Sequence, residues 1–546
     1  MPRALFPALA AAAVVAAFLP SLGNGFVNFD DGWYLVLNPN FKGWTWEHLR
    51  WMFTPWPRGG HYAPLTWMSL ALDWSLWGMR PLGYHLTSLA LHAAGAAAFY
   101  AVARRLFERV RADRAAEAAL LASLFFALHP LRVESVAWAS ERRDVLSGLF
   151  YLLTLRFYLD RRLGPSLACF AASLLSKGMA MTLPLALVLL DFYPLRRLSL
   201  APEAWLKPPE RSVWLEKLLF LAPAAAIAGV TLHLQVASGS AWALEKIPVL
   251  WRAGTACYGL MFYIAKTLLP VGLAPLYPMP PDAAAMAPTF ALCGLGVAAA
   301  TGLALLAARQ GRPALLAVWA FYAVTLAPVS GLVQIGPQIA ADRYSYLPCL
   351  GFALLFGWGV SRLASRTSLI VGSLWILFLA GLTWKQTGVW RDAETLWAAT
   401  AAAHPRHAQA RLFLGNLRAE QSRPDEAEAL FRKALALEPG YGAAHNNLAN
   451  LLVRMGRDRE SLAHYGAAAE ASPGHKAVHY NWGIALMRLG RGREAAEHFR
   501  QELLLDPGHE PSRRALGSAL LMGKTPKKKS PREAKLPAGE HAQGGI

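Results

Sequence analysis

The chain has 546 residues, 55% hydrophobic and only 16% charged, with a mean hydropathy of +0.28. That balance excludes an ordinary soluble globular protein, in which charged residues make up about a quarter of the total. The net charge of +19 would suit nucleic acid, but no nucleic-acid-reading module accompanies it; the basic residues lie between apolar runs, where they fix membrane orientation.

In chain order, the first apolar run, Ala4 to Leu19, follows Met1-Pro2-Arg3 and lacks a clear cleavage site, so it reads as an uncleaved signal anchor. A loop with the acidic pair Asp30-Asp31 comes next, then an aromatic stretch including Trp33, Tyr34, Trp44, Trp46, Trp51 and Trp67. Most of these rings suit anchoring at headgroup depth, and one or two suit a donor groove. Further runs are expected at Tyr84 to Ala103, Ala115 to Leu128 and Val145 to Leu159, with two short ones at Ser166 to Ser176 and Met179 to Phe192 around Lys177-Gly178. Leu215 to Leu234, Phe290 to Ala308, Pro313 to Val329, Tyr346 to Val360 and Leu369 to Trp384 complete about eleven crossings.

With the N-terminus inside, that count keeps the clusters Arg104 to Arg114, Arg161-Arg162 and Arg196 to Arg211 in the cytoplasm and puts everything after Trp384 outside. Trp251 to Leu269 is long enough to cross, but a crossing there would invert the later loops, so it is expected as an interfacial or re-entrant helix. Cys169, Cys257, Cys293 and Cys349 fall in or beside apolar segments without metal-ligand spacing and read as packing residues.

Beyond the spans the pattern changes. Pro405, Pro439, Pro473 and Pro507 recur every 34 residues, and Gly415, Ala427 and Phe431 return in phase as Ala449 and Tyr465, then as Gly483, Ala495 and Phe499. This is the tetratricopeptide period: small residues let paired helices approach, large ones fill the gap, and proline ends the second helix. The expected organisation is all-α, with a polytopic membrane domain over 1–390, an α-solenoid of repeats over 391–522 opened by a partial turn from Ala393 to His404, and a disordered basic tail over 523–546.

Polar motifs cluster on the side opposite the basic loops. They are Phe29-Asp30-Asp31 with Tyr34 and Asn38-Pro39; His129-Pro130 through Glu134-Ser135-Val136-Ala137-Trp138 to Glu141-Arg142-Arg143-Asp144; and Asp342-Arg343-Tyr344-Ser345-Tyr346-Leu347-Pro348. Together with the repeats, these resemble the transmembrane and tetratricopeptide repeat (TMTC-like) glycosyltransferases, relatives of the protein O-mannosyltransferases, from about Phe26 to the last repeat. The resemblance implies a GT-C membrane fold, transfer of a sugar, mannose in most of the family, from a polyprenyl-phosphate carrier to an acceptor at the outer face, and a general base in the first outer loop, carried over here to Asp30 or Asp31. The Ala/Arg/Leu-rich style and short array read as bacterial, which places the protein in the inner membrane with the repeats on the periplasmic side.

The residues themselves support that chemistry. A base must reach the acceptor hydroxyl, and two adjacent carboxylates are expected to repel so that one pKa rises while the other group stays ionised. Asp31 is the expected base and Asp30 the positioning group; the alternative is a loop cap or a structural cation site. Arg343 beside Tyr344, and Arg142 or Arg143, are candidates for the leaving phosphate because guanidinium grips it bidentately, with pairing to Asp342, Glu141 and Asp144 as the alternative. His129 and Glu134 suit acceptor orientation or a cation, or else a structural network with Arg132. No cofactor is called for beyond the polyprenyl-phosphate-linked sugar, and the sequence assigns no metal. The expected partners are membrane lipid, the lipid-linked donor and an acceptor protein held by the repeats, without nucleic acid. The competing readings are a non-catalytic membrane-anchored scaffold and a transporter or flippase.

Overall fold

The computed structural model describes residues 3–55, 61–238, 248–279, 283–334, 336, 338–363, 366–474 and 476–524; the tail from 525 onward lies outside them. The chain divides into two compact units, Met1–Leu396 and Trp397–Ile546.

The first unit is built from apolar helices: α1 Phe6–Phe18, α2 Pro64–Trp77, α3 Pro81–Arg109, α4 Ala115–Ala127, α5 Arg142–Leu159, α6 Leu163–Ser176, α7 Leu183–Phe192, α8 Glu210–Ala237, α9 Val249–Leu268, α10 Ala283–Arg309, α11 Pro313–Leu326, α12 Leu350–Arg362 and α13 Arg366–Val389. Proline opens α2, α3 and α11, where its missing N–H costs nothing and its fixed φ starts the helix. Gly357 lets α12 lie directly on the backbone of α4 at Ala118 and Ala122.

Among the described residues, five helices are long and apolar enough to cross a membrane: the run Phe6–Gly23, α3, α8, most of α10 and most of α13. The pair Ala115–Ala127 and Pro130–Ala137, bent by 57°, makes a sixth. Shorter apolar helices, Leu163–Ser176, Gly178–Phe192, Pro313–Val329 and Leu350–Arg362, account for others of the about eleven crossings expected from hydropathy. Helices α6, α11 and α12 have 14, 14 and 13 residues, about 20 Å at 1.5 Å per residue against a hydrocarbon core of about 30 Å, and α5 opens on Arg142, Arg143 and Asp144.

Helix α9 lies against α10. A Cβ on Gly254 would meet Phe290 at 2.5 Å, and one on Gly296 would meet Met261 at 3.0 Å. Both pairs share nearly one sequence offset, so the two helices run side by side in the same direction. After α9, Tyr277–Pro278 pairs antiparallel with Gln338–Ala340, and Tyr277 packs back on Phe262 at 4.7 Å.

The second unit alternates Ala408–Glu420, Pro424–Leu437, Gly442–Arg454, Asp458–Ala471, Val478–Arg488 and Gly492–Leu505 before a closing helix, Glu510–Lys524. Phe431 packs over Gly415 and Phe499 over Gly483, and Ala427, Tyr465, Ala468 and Ala495 are buried as the period requires. Where Ala434 and Ala468 recur, the third repeat has a buried Glu502, whose carboxylate accepts from the backbone N–H of Ala477 (2.8 Å) and Tyr480 (3.4 Å).

Each repeat turns between its two helices through a left-handed residue: Ser422 at φ 58°, Gly456 at 77° and Gly490 at 72°. A Cβ is strained there and glycine is not. Ser422→Gly is accordingly expected to stabilise the array by about 1 kcal/mol, seen as a higher thermal unfolding midpoint, whereas Gly456→Ser should lower it by a similar amount.

Candidate active site

The acidic pair sits where the chain leaves α1 and enters a single π-turn, Gly32–Val36, a rare local form that accumulates at functional sites. Its two carboxylates have different environments. Asp31 is 1% exposed: Oδ2 accepts from the Val27 N–H (2.9 Å), and Oδ1 accepts from the Ser140 N–H (3.0 Å) and the Ser140 hydroxyl. It stitches the first loop to the second. Asp30 is half-buried and carries the Trp33 hydrogen bond, with Arg143 and Arg343 in its field.

Burial is the main reason both carboxyl groups are raised, Asp31 to about 6, with the Ser140 and Val27 bonds pulling the other way. Mutual repulsion is only a small contributor to Asp31, so the expected split, one group raised by its neighbour and the other left ordinary, gives way to a shared effect of desolvation.

The second and late loops meet at Glu141. Arg143 donates from Nε (3.0 Å) and Nη2 (2.7 Å) to its Oε2, Lys177 reaches Oε1 at 2.5 Å, and Arg343 Nε stands 3.9 Å from Oε2. Burial works against ionising Glu141, but Arg143, Lys177 and Arg343 together hold it well below the usual carboxylate range. Lys177 also pairs with Asp144 at 2.5 Å, and Asp144 accepts from Ser135 at 2.9 Å. Glu134 receives the Arg343 backbone N–H at 2.7 Å and its Nη1 side chain. The guanidinium of Arg343 lies over Trp138 (5.4 Å) and Tyr344 (5.0 Å).

The structure thus brings together Asp30, Asp31, Arg143, Glu134, Arg343 and Tyr344 from three loops far apart in sequence. Arg142 is elsewhere: its side chain is fully buried, paired to Asp73 and the Tyr84 carbonyl and donating to Ser69 and Ser88, both at 3.3 Å. His129 is likewise committed, with Nε2 at 3.0 Å from the Thr267 carbonyl and Nδ1 accepting the Leu131 N–H at 3.2 Å. Among the described residues no group of three or more His, Cys, Asp or Glu side chains is placed to hold a metal ion.

Two neighbours escaped the sequence reading. Tyr34, stacked on Trp67 at 4.2 Å, has a buried hydroxyl with no hydrogen-bond partner among the described residues, and burial raises its pKa to about 12. His61 is kept neutral by its surroundings and then by Arg143, despite Glu141. Both line a small cleft, partly open to solvent, whose walls include Trp33, Asn38, Trp51 and Tyr62. The sequence signals for Tyr34 were its place in the Phe-Asp-Asp motif and in the aromatic stretch; His61 had none.

Fold and site together describe a polytopic helical membrane protein with an aromatic-walled cleft, a buried charged cluster and a tetratricopeptide array. A sequence model of the Tetratricopeptide repeat family matches residues 384–442 and 446–525. The chain is similar to the human protein O-mannosyl-transferase TMTC1, 25% identical over 77% of this chain and 54% of that protein. It is also similar to Drosophila melanogaster Tmtc1, 27% identical over 67% of this chain and 53% of the other, and to Xenopus laevis tmtc2, 32% identical over 28% and 18%. The resemblance read from the loop motifs thus extends through most of the chain, which spans about half the length of the human and Drosophila melanogaster TMTC1 relatives.

Because Arg142 and Asp73 are a desolvated pair, removing one partner strands the other. Arg142→Ala is expected to cost about 3–5 kcal/mol of stability, read as a loss of folded protein in detergent melting, while Arg142→Met combined with Asp73→Leu should recover most of it.

Proposed function

We propose that the chain is a membrane glycosyltransferase that moves a sugar from a polyprenyl-phosphate carrier to a hydroxyl acceptor at the outer membrane face, with Asp30 as general base. The observation that carries this reading is the contrast within the acidic pair: Asp31 is spent on Val27 and Ser140, whereas Asp30 is half-buried with two guanidinium groups in its field. The roles expected from sequence are therefore exchanged, with Asp31 shaping the loop.

The chemistry follows from the groups present. Asp30 takes the acceptor proton as the hydroxyl oxygen attacks the anomeric carbon, and the bond from that carbon to the carrier phosphate breaks. Negative charge grows on the leaving phosphate. Arg143 spends Nε and Nη2 on Glu141, and Arg343 spends Nη1 on Glu134 and the Pro275 carbonyl, so among the described residues Arg143 Nη1 and Arg343 Nη2 remain to donate to that phosphate. The unpartnered Tyr34 hydroxyl supplies a further donor in the cleft, and its aromatic walls suit a sugar ring or prenyl segment. The relatives' names support a mannosyl donor and a protein acceptor, the latter recruited by the repeat array.

The test is sugar transfer by purified protein in lipid from a panel of polyprenyl-phosphate sugars. Asp30→Asn is expected to lower turnover by roughly 10²–10⁴-fold while the protein stays folded. The base works only when ionised and its pKa is raised, so activity should fall on acidification at a pH above the ordinary carboxylate value of about 4. Turnover unaffected by Asp30→Asn would reject the assignment, and absence of transfer from every donor would favour the scaffold.

A further inference from the structure

The repeat array holds a feature that sugar transfer does not use. His445 Nδ1 lies 2.9 Å from His464 Nδ1, and His479 Nδ1 lies 3.2 Å from His498 Nδ1. The second pair is the first displaced by one 34-residue repeat; the equivalent positions of the preceding repeat are Arg411 and Leu430. In each pair one histidine comes from the first helix of the repeat and the other from the second.

We propose that each pair, His445 with His464 and His479 with His498, is a two-imidazole binding site for a borderline divalent cation of the zinc or nickel kind. The separation fits: two imidazole nitrogens at about 2.05 Å from one tetrahedral zinc stand about 3.3 Å apart. The orientation fits as well. His445 Nε2 is 2.9 Å from the Pro439 carbonyl, which fixes its proton there and leaves the Nδ1 lone pair facing His464. Without a cation, His464 Nδ1–H supplies the bridging proton; a cation replaces that proton once His464 carries its own on Nε2.

The ring of Trp482 stacks on His498 at 3.9 Å and covers one side of the second site. With two protein ligands, each ion keeps coordination positions for water, consistent with the lack of any three-ligand group among the described residues. A bound ion ties the two helices of a repeat together.

The experiment is equilibrium dialysis of the tag-free full chain in detergent against Zn²⁺, with metal counted per chain. The expected result is two ions lost in His445→Gln/His479→Gln and one in each single variant, along with a zinc-dependent rise in the array's unfolding temperature that the double variant lacks. The pair His464→Gln/His498→Gln, which removes the other ligand of each site, must give the same loss; either set suffices if the other misfolds. Zinc uptake unchanged by both double variants, or no zinc retained by the native chain, overturns the proposal.

Discussion

The structure of the membrane unit turns on a rule of low-dielectric surroundings: a charge taken out of water must find an opposite charge or be neutralised. Glu141 has almost no solvent contact and is met by Arg143, Lys177 and, at longer range, Arg343. Arg343 in turn engages Glu134, and Lys177 engages Asp144. None of these groups is tolerable there alone, so the second loop, the break between the two short helices at Lys177 and the late loop are held in one mutual arrangement. Such a network adds little to stability over an apolar core of the same shape, but it is strongly sensitive to the loss of any member, and it fixes side-chain positions where a reaction needs them.

The same rule separates the two aspartates. Asp31 is satisfied by hydrogen bonds and serves as a fastener between Val27 and Ser140. Asp30 gains its compensation from guanidinium fields and keeps partial access to water. A carboxylate compensated mainly by charge, with one hydrogen bond from Trp33, keeps lone pairs for an incoming proton. Adjacent residues of identical chemistry thereby acquire different work, and the difference comes entirely from what other loops bring to them.

This accounts for what was legible in the sequence. The array was fully readable because its information is local: the 34-residue recurrence of Gly415, Phe431 and Pro439 states which helices pair and what fills the space between them. Glu502 was missed because period alone predicts alanine there, and its partner Ala477 belongs to another helix. In the membrane unit hydropathy located the apolar helices, while their lengths, several of them only 13 or 14 residues, came from where each helix starts and stops. The site was legible as a set of loops and illegible as a set of roles. Arg142 and Arg143 are neighbours in sequence, yet a helical step of about 100° turns the first toward Asp73 and the second toward Glu141. The bond from Ser140 to Asp31 joins residues more than a hundred positions apart, and no local pattern encodes it.

The two units therefore answer to different constraints. In the array, exposed charged residues are free to vary because the core is carried by alanine, glycine and aromatic rings, and surplus chemistry such as the paired histidines can be added to a repeat without unsettling it. The membrane unit has no such freedom: nearly every ionisable side chain near the acidic pair is the counter-charge of another, so chemical capacity is confined to the few atoms left over. Among the described residues those atoms are the Asp30 carboxylate, Arg143 Nη1, Arg343 Nη2 and, beside the aromatic cleft, the Tyr34 hydroxyl.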